Sequence, residues 1–197
     1  MDKWLKNIHL EGKLVKLLPL NSNHKTDLLK AASDGDLWNL WYTSVPNKQT
    51  IDDYIELALS ENQTGRAHAF VVIDQSTKKI IGSTRYCNAI NSNRLEIGYT
   101  WYAKSTQRTG INTECKLLLL QHAFEKLNCI AVEFRTNWHN LASRAAISRL
   151  GAKQDGILRN HLIDTDGAYR DTVVFSITKE EWPSVKKSLM FKMHKKY

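Results

Sequence analysis

Between residues 68 and 127 the chain changes its apolar period, and that change limits the folds open to it. Residues 68–73, 79–90 and 95–102 are strand-like runs, separated by the short polar turns Asp74-Gln75-Ser76-Thr77-Lys78 and Asn91-Ser92-Asn93-Arg94. Short turns join antiparallel neighbours, so the spacing predicts a three-stranded meander. Residues 111–127 then read as a strong helix, with Leu117, Leu118, Leu120, Ala123, Phe124 and Leu127 as its apolar residues. Residues 129–134 are short and nearly all apolar, which predicts a strand inside a sheet and not at its edge.

The flanks follow the same logic. A strand is predicted over 13–20, a short helix over 24–32, and an irregular acidic and aromatic stretch over 34–49. Thr50 opens a further helix, with Asp53 completing a partial capping box. A helix over 141–150 ends at Gly151, a good C-terminal stop. Strands over 152–163 and 168–177 are joined by the turn Asp164-Thr165-Asp166-Gly167. Thr178 and Glu181 form a capping box before a last helix running to about Leu189, with Pro183 in its first turn. This order predicts an α+β fold: a mixed, mostly antiparallel central sheet with helices on both faces.

Composition removes several alternatives. The chain has 197 residues and 42% hydrophobic content, enough for a real core, and no linker divides it. No apolar run approaches the ~18 residues of a membrane span, and the N-terminus lacks the apolar core of a secretion signal. Cys87, Cys115 and Cys129 are an odd, widely spaced set, neither a disulfide framework nor a zinc pattern. A reduced cytoplasmic protein without a metal is therefore expected. The net charge of +8 raises the question of nucleic acid. Residues 183–197, however, hold five lysines and no acid, leaving 23 bases against 20 acids elsewhere. The basic balance is mostly a tail signal, and neither a nucleic-acid nor a membrane partner is expected.

The segment from Tyr102 to Thr113 joins a predicted strand to a predicted helix N-terminus. Such a junction directs backbone N–H groups and the positive end of a helix dipole at one spot, a ready anion site. Gly110 permits close approach to the backbone, Arg108 adds charge, and Asn112 and Thr113 add polar contacts. The bland alternative is that Gly110 only turns the chain and Asn112 or Thr113 only caps the helix.

Here the sequence resembles the GNAT acyltransferases. Gln107-x-x-Gly110-x-Asn112 is similar to their Gln/Arg-x-x-Gly-x-Gly/Ala loop, with Asn112 in place of the second small residue. Leu95-Glu96-Ile97-Gly98-Tyr99 matches their central strand, and Asn137-Trp138-His139-Asn140-Leu141-Ala142-Ser143 their Asn-x-x-Ser segment. Leu150-Gly151-Ala152 and the hairpin Asp166-Gly167-Ala168-Tyr169-Arg170-Asp171 extend the match, and the nearest branch is the Rim type, the ribosomal-protein N-terminal acetyltransferases. The resemblance implies one acyl-CoA N-acyltransferase domain over 1–197, with the fold at about 10–190 and a basic tail at 190–197. It implies acetyl-CoA as co-substrate, a splayed strand pair to admit it, and an amine acceptor, either a protein N-terminus or a small molecule. It leaves a homodimer open.

The resemblance also implies site residues. Gln107, Arg108, Thr109, Gly110, Ile111, Asn112 and Thr113 would hold the pyrophosphate. The backbone at Thr100, Trp101 and Tyr102, with Asn140 and Ser143, would hold the pantetheine arm. Glu133, flanked by Val132 and Phe134, matches a general base of Rim-type enzymes, and Glu96 is its rival on the adjacent strand. Glu133 could instead pair with Arg135 or Arg144 or face solvent at a strand end, and a water chain could serve in place of both glutamates. Relatives protonate the leaving thiolate with a tyrosine; this chain has Ile147 there, and Ser143 matches the serine used in its place. Trp38, Trp41 and Tyr42, among Asp34, Asp36, Asp52 and Asp53, would shape a slot for a cationic amine; equally, the acids could cap helices and the aromatics pack. Cys115, near a helix N-terminus, raises the minor alternative of a covalent acyl-cysteine. An acetyl-CoA sensor without catalysis is the second reading, and a nucleic-acid-binding protein the third.

Overall fold

The computed structural model describes Leu5 and residues 8–90, 93–164 and 166–194. A two-residue strand β1 (Leu10–Glu11), absent from the sequence reading, precedes β2 (Val15–Pro19), α1 (Lys25–Ser33) and α2 (Ile51–Thr64). The meander then appears as β3 (His68–Asp74), β4 (Ile80–Ile90) and β5 (Arg94–Tyr102). After it come α3 (Ile111–Glu125), β6 (Ala131–Asn137), α4 (Leu141–Leu150), β7 (Lys153–Ile163), β8 (Tyr169–Thr178) and α5 (Trp182–His194).

The strands form one sheet in the order β1-β2-β3-β4-β5-β6-β8-β7. Every described neighbour pair is antiparallel except β5 and β6, which run parallel because α3 carries the chain back between them. β6 is interior, as its apolar composition predicts. Each face has its own core. Leu28, Ala32, Ile51 and Ile55 of α1 and α2 pack with Val71 and Trp101 on one face. Leu119, Ala123, Ile147 and Val185 of α3, α4 and α5 pack with Leu17, Leu95, Val132 and Phe134 on the other. The alternation of Leu95/Ile97 against Glu96, and of Val132/Phe134 against Glu133, divides each strand between the two faces.

Three local expectations need correction. Thr50 does not cap α2 with its side chain; its Oγ1 accepts from Asn47 N–H at 3.0 Å instead, so the Thr50–Asp53 box is not made. The last helix runs on from Leu189 to His194, and the start of the basic tail is thus part of the fold. Two lysines of α5 are engaged: Lys186 pairs with Glu125 at 2.7 Å and Lys192 donates to the Arg149 carbonyl. Lys195, Lys196 and Tyr197 lie outside the described residues. Elsewhere the signals hold. Gly151 ends α4 at φ +105, a conformation that side-chain-bearing residues adopt at a cost, and Thr178 N–H donates to Glu181 Oε2 ahead of α5.

Candidate functional site

The site begins where β5 and β6 part. Their parallel register is Arg94↔Ala131, Leu95↔Val132 and Glu96↔Glu133, and it stops there although β5 continues to Tyr102 and β6 to Asn137. The cause lies in β5. Against β4 its register runs Arg85↔Gly98 and then Ser83↔Trp101, so β5 holds one extra residue, and Tyr99 takes it up at φ +50. A bulge of this kind bends its strand and strengthens the twist. A second bulge sits on β4 at Asn88, φ +51, where Cys87↔Glu96 is followed by Ile90↔Arg94.

The two glutamates in register at the parting differ in environment. Glu133 accepts from Arg94 Nε and Nη2 at 3.2 and 2.9 Å and from Arg135 Nε. Glu96 accepts from Asn88 Nδ2 at 2.6 Å, while Arg135 Nε stands 3.7 Å from its Oε2. Burial pushes the Glu96 carboxyl above its ordinary value, against the lowering effects of Asn88 and Arg135. Gly98 gives that carboxylate its room, since a Cβ there would stand 2.9 Å from Glu96 Oε1.

Beyond β5, the loop to α3 is tied by its own side chains. Gln107 Nε2 donates to the Tyr102 carbonyl at 3.0 Å, and Thr109 Oγ1 to the Thr106 carbonyl at 2.7 Å. Gly110 is the N-cap residue of α3 and brings no side chain to the cap, although Thr109 Oγ1 accepts from Ile111 N–H at 3.3 Å. Asn112 and Thr113 therefore lie inside the first turn and are not caps, and their N–H groups precede the first intrahelical bond, Glu114 N–H to Gly110 O. Arg108 is exposed beside them. Asn140 is the N-cap of α4 and receives the Ser143 N–H on Oδ1 at 3.0 Å. This cap uses only the amide oxygen, and Ser143 sits in the first turn.

Trp101 and Tyr102 turn their rings into the two cores, Trp101 donating to Tyr54 Oη at 3.3 Å. What they can offer a ligand is backbone. Trp38 also packs against a core. Trp41 is 65% exposed, meets Tyr42 edge-on and lies 5.4 Å from the His139 ring. The loop before α2 thus reaches the turn before α4. Among the nearby acids, Asp34 is occupied in bracing Ser105 and Asp52 in pairing with Lys25. Ile147 is core, and Cys115 is buried with its thiol pushed up by that burial, the opposite of an activated nucleophile. Sequence reading missed Asn88, Arg94 and the buried Lys116, whose partners come from other strands.

Residues 15–153 match the model of the acetyltransferase (GNAT) domain. The chain belongs to the GNAT acetyltransferases. YdaF of Bacillus subtilis, provisionally named a ribosomal N-acetyltransferase, is 36% identical over 93 residues, 47% of this chain. That match spans 50% of YdaF's own length. A crystal structure from T. thermophilus, described provisionally as an acetyltransferase, is 31% identical with a TM-score of 0.83, over 97% of this chain and 100% of that one. Mycobacterium smegmatis RimJ shares the fold, with a TM-score of 0.78 at 23% identity over 94% and 95% of the two chains. The mixed sheet with helices on both faces is thus the fold of this family, as the sequence resemblance implied.

Proposed function

We propose that this chain transfers an acetyl group from acetyl-CoA directly to a primary amine. The observation that carries the reading is the parting of β5 from β6 at Glu96 and Glu133, with the N-terminus of α3, where Asn112 and Thr113 N–H make no intrahelical bond, at the end of the loop that follows β5. The gap leaves unpaired strand backbone for an extended amide-bearing arm, and the helix start suits a pyrophosphate. The residues present fit the co-substrate: Gln107 to Thr113 for its phosphates, Thr100 to Tyr102 by backbone and Asn140 for its arm. The CoA-disulfide complex of the similarly folded RimJ supports the same reading.

The general base is Glu96. Both glutamates are buried, but Glu133 is committed to two guanidinium groups, whereas Glu96 is raised in pKa and anchored through one oxygen by Asn88. The amine nitrogen forms a bond to the thioester carbon as its proton passes to Glu96, and the C–S bond then breaks with the electron pair leaving on sulfur. Ser143 is the candidate donor to that thiolate. Trp41 and Tyr42 shape the acceptor slot, and YdaF's name favours a protein N-terminus as the acceptor. A thiol-release assay with acetyl-CoA across peptides and small amines tests this. Release that depends on the amine supports it, and CoA binding with no transfer to any amine favours the sensor reading.

A further inference from the structure

Lys116 lies on α3 and is only 5% exposed. Its Nζ donates to Thr100 Oγ1 at 2.6 Å and to Thr84 Oγ1 at 3.3 Å, and the two hydroxyls are 2.7 Å apart. Among the described residues, no carboxylate stands within ion-pair distance of it. An ammonium buried without a counter-charge opposes folding, and an apolar side chain of similar length would fill the place without that penalty.

Its position is specific. Thr100 follows the bulge residue Tyr99, and its Oγ1 also lies 3.3 Å from the Gly98 carbonyl. Thr84 falls between Ser83 and Arg85, the stretch of β4 opposite the bulge. The ammonium therefore ties together both sides of the distortion that parts β5 from β6. The other titratable groups bearing on it are the thiols of Cys115 on α3 and Cys87 on β4, both pushed up by burial and neutral at pH 7. Burial lowers Lys116 itself to about 8, so it is mostly charged at pH 7.

We infer that Lys116 is a positioning residue for acyl transfer, holding the bulged segment through the two threonines and setting an uncompensated positive charge behind the strand where the thioester lies. The inference rests on the acetyl-CoA reading above. Direct transfer develops negative charge first on the carbonyl oxygen and then on the departing sulfur. A fixed cation in a low-dielectric surround favours both. It also eases departure of the thiolate in a chain that has Ile147 where relatives have a tyrosine acid.

The test is free of any acceptor. CoA is bound to the protein, and ionisation of its thiol is followed by thiolate absorbance as pH rises, in wild type, Lys116→Gln and Lys116→Arg. The bound thiol is expected to ionise at least about one pH unit lower in Lys116→Arg, which stays charged throughout the titration, than in Lys116→Gln, with wild type between them because Lys116 itself loses its proton near 8. A merely structural lysine would not move this midpoint. Should Lys116→Gln not fold, Lys116→Met supplies the neutral variant. Equal midpoints in wild type, Lys116→Arg and a folded neutral variant that still binds CoA overturn the Lys116 role alone. Failure of wild type to bind CoA overturns the acyltransferase reading and this role with it.

Discussion

Glu96 and Glu133 stand in register on the last parallel pair of β5 and β6, and Arg135 bridges them. Two carboxylates so close are driven to divide their roles. One is neutralised by Arg94 and Arg135, while the other keeps a raised pKa and a carboxyl oxygen beside Gly98. The proposed mechanism therefore takes Glu133 as a support and Glu96 as the proton acceptor.

Glu96→Gln should therefore lower kcat by about 10²–10⁴ with little change in CoA affinity, the range for loss of a general base. Glu133→Gln should keep most of the rate. Steady-state kinetics on both variants decide between them. Near-normal turnover of Glu96→Gln would return the role to Glu133 or to water.

Gly110→Asp distinguishes an anion site from a simple turn. An acid at the N-cap suits a helix, and although its Cβ would stand 2.9 Å from Leu14 Cδ1, that exposed side chain can turn aside, so melting should stay near wild type. The same fixed negative charge should weaken CoA on the order of tenfold, by repulsion of the phosphates. Calorimetric titration with CoA measures the second effect, and unchanged affinity would show that the loop does not hold the anion.

Glu114 concerns stability. Its buried carboxylate accepts from the backbone N–H groups of Lys13, Leu14 and Val15 at 3.0, 2.7 and 2.8 Å, which fastens the start of β2 to α3. Glu114→Ala strands those donors and should cost about 3 kcal/mol in urea unfolding. Loss of less than about 1 kcal/mol would mean that water replaces the carboxylate.

His68 sets an acid limit. Burial, with the charges of His122 and His9, lowers its pKa from 6.5 to about 4. The unfolded chain binds this proton more readily, so the stability due to neutral His68 is complete above pH 6.5 and is lost as pH falls towards 4. The shift corresponds to at most about 3 kcal/mol. Urea midpoints should fall across that window in wild type and fall less in His68→Gln; parallel curves would place the acid sensitivity elsewhere.

Much of this was legible in the sequence where the signals are local. The meander, α3, α4 and the β7–β8 hairpin follow from apolar period and turn residues, and Gly151 marks its helix end as read. What escaped depends on partners distant in sequence. Nothing near Asn88 or Tyr99 marks a bulge, because the extra residue shows only in register against the neighbouring strand. Nothing local marks Lys116 as buried until Thr84 and Thr100 are placed over it. The order of Glu133 and Glu96 turned on Arg94 and Asn88, each set by pairing across strands. The strand-to-helix junction from Tyr102 to Thr113 could be read because its residues are consecutive.

The central claim is that the parting of β5 from β6 receives acetyl-CoA for transfer to an amine. Thermal melting of the purified chain with CoA tests its first half most directly, since a ligand that binds only the folded state raises the melting point. Stabilisation by several degrees at millimolar CoA is expected, smaller in Gly110→Asp. No shift in the wild-type chain at that concentration would contradict the claim.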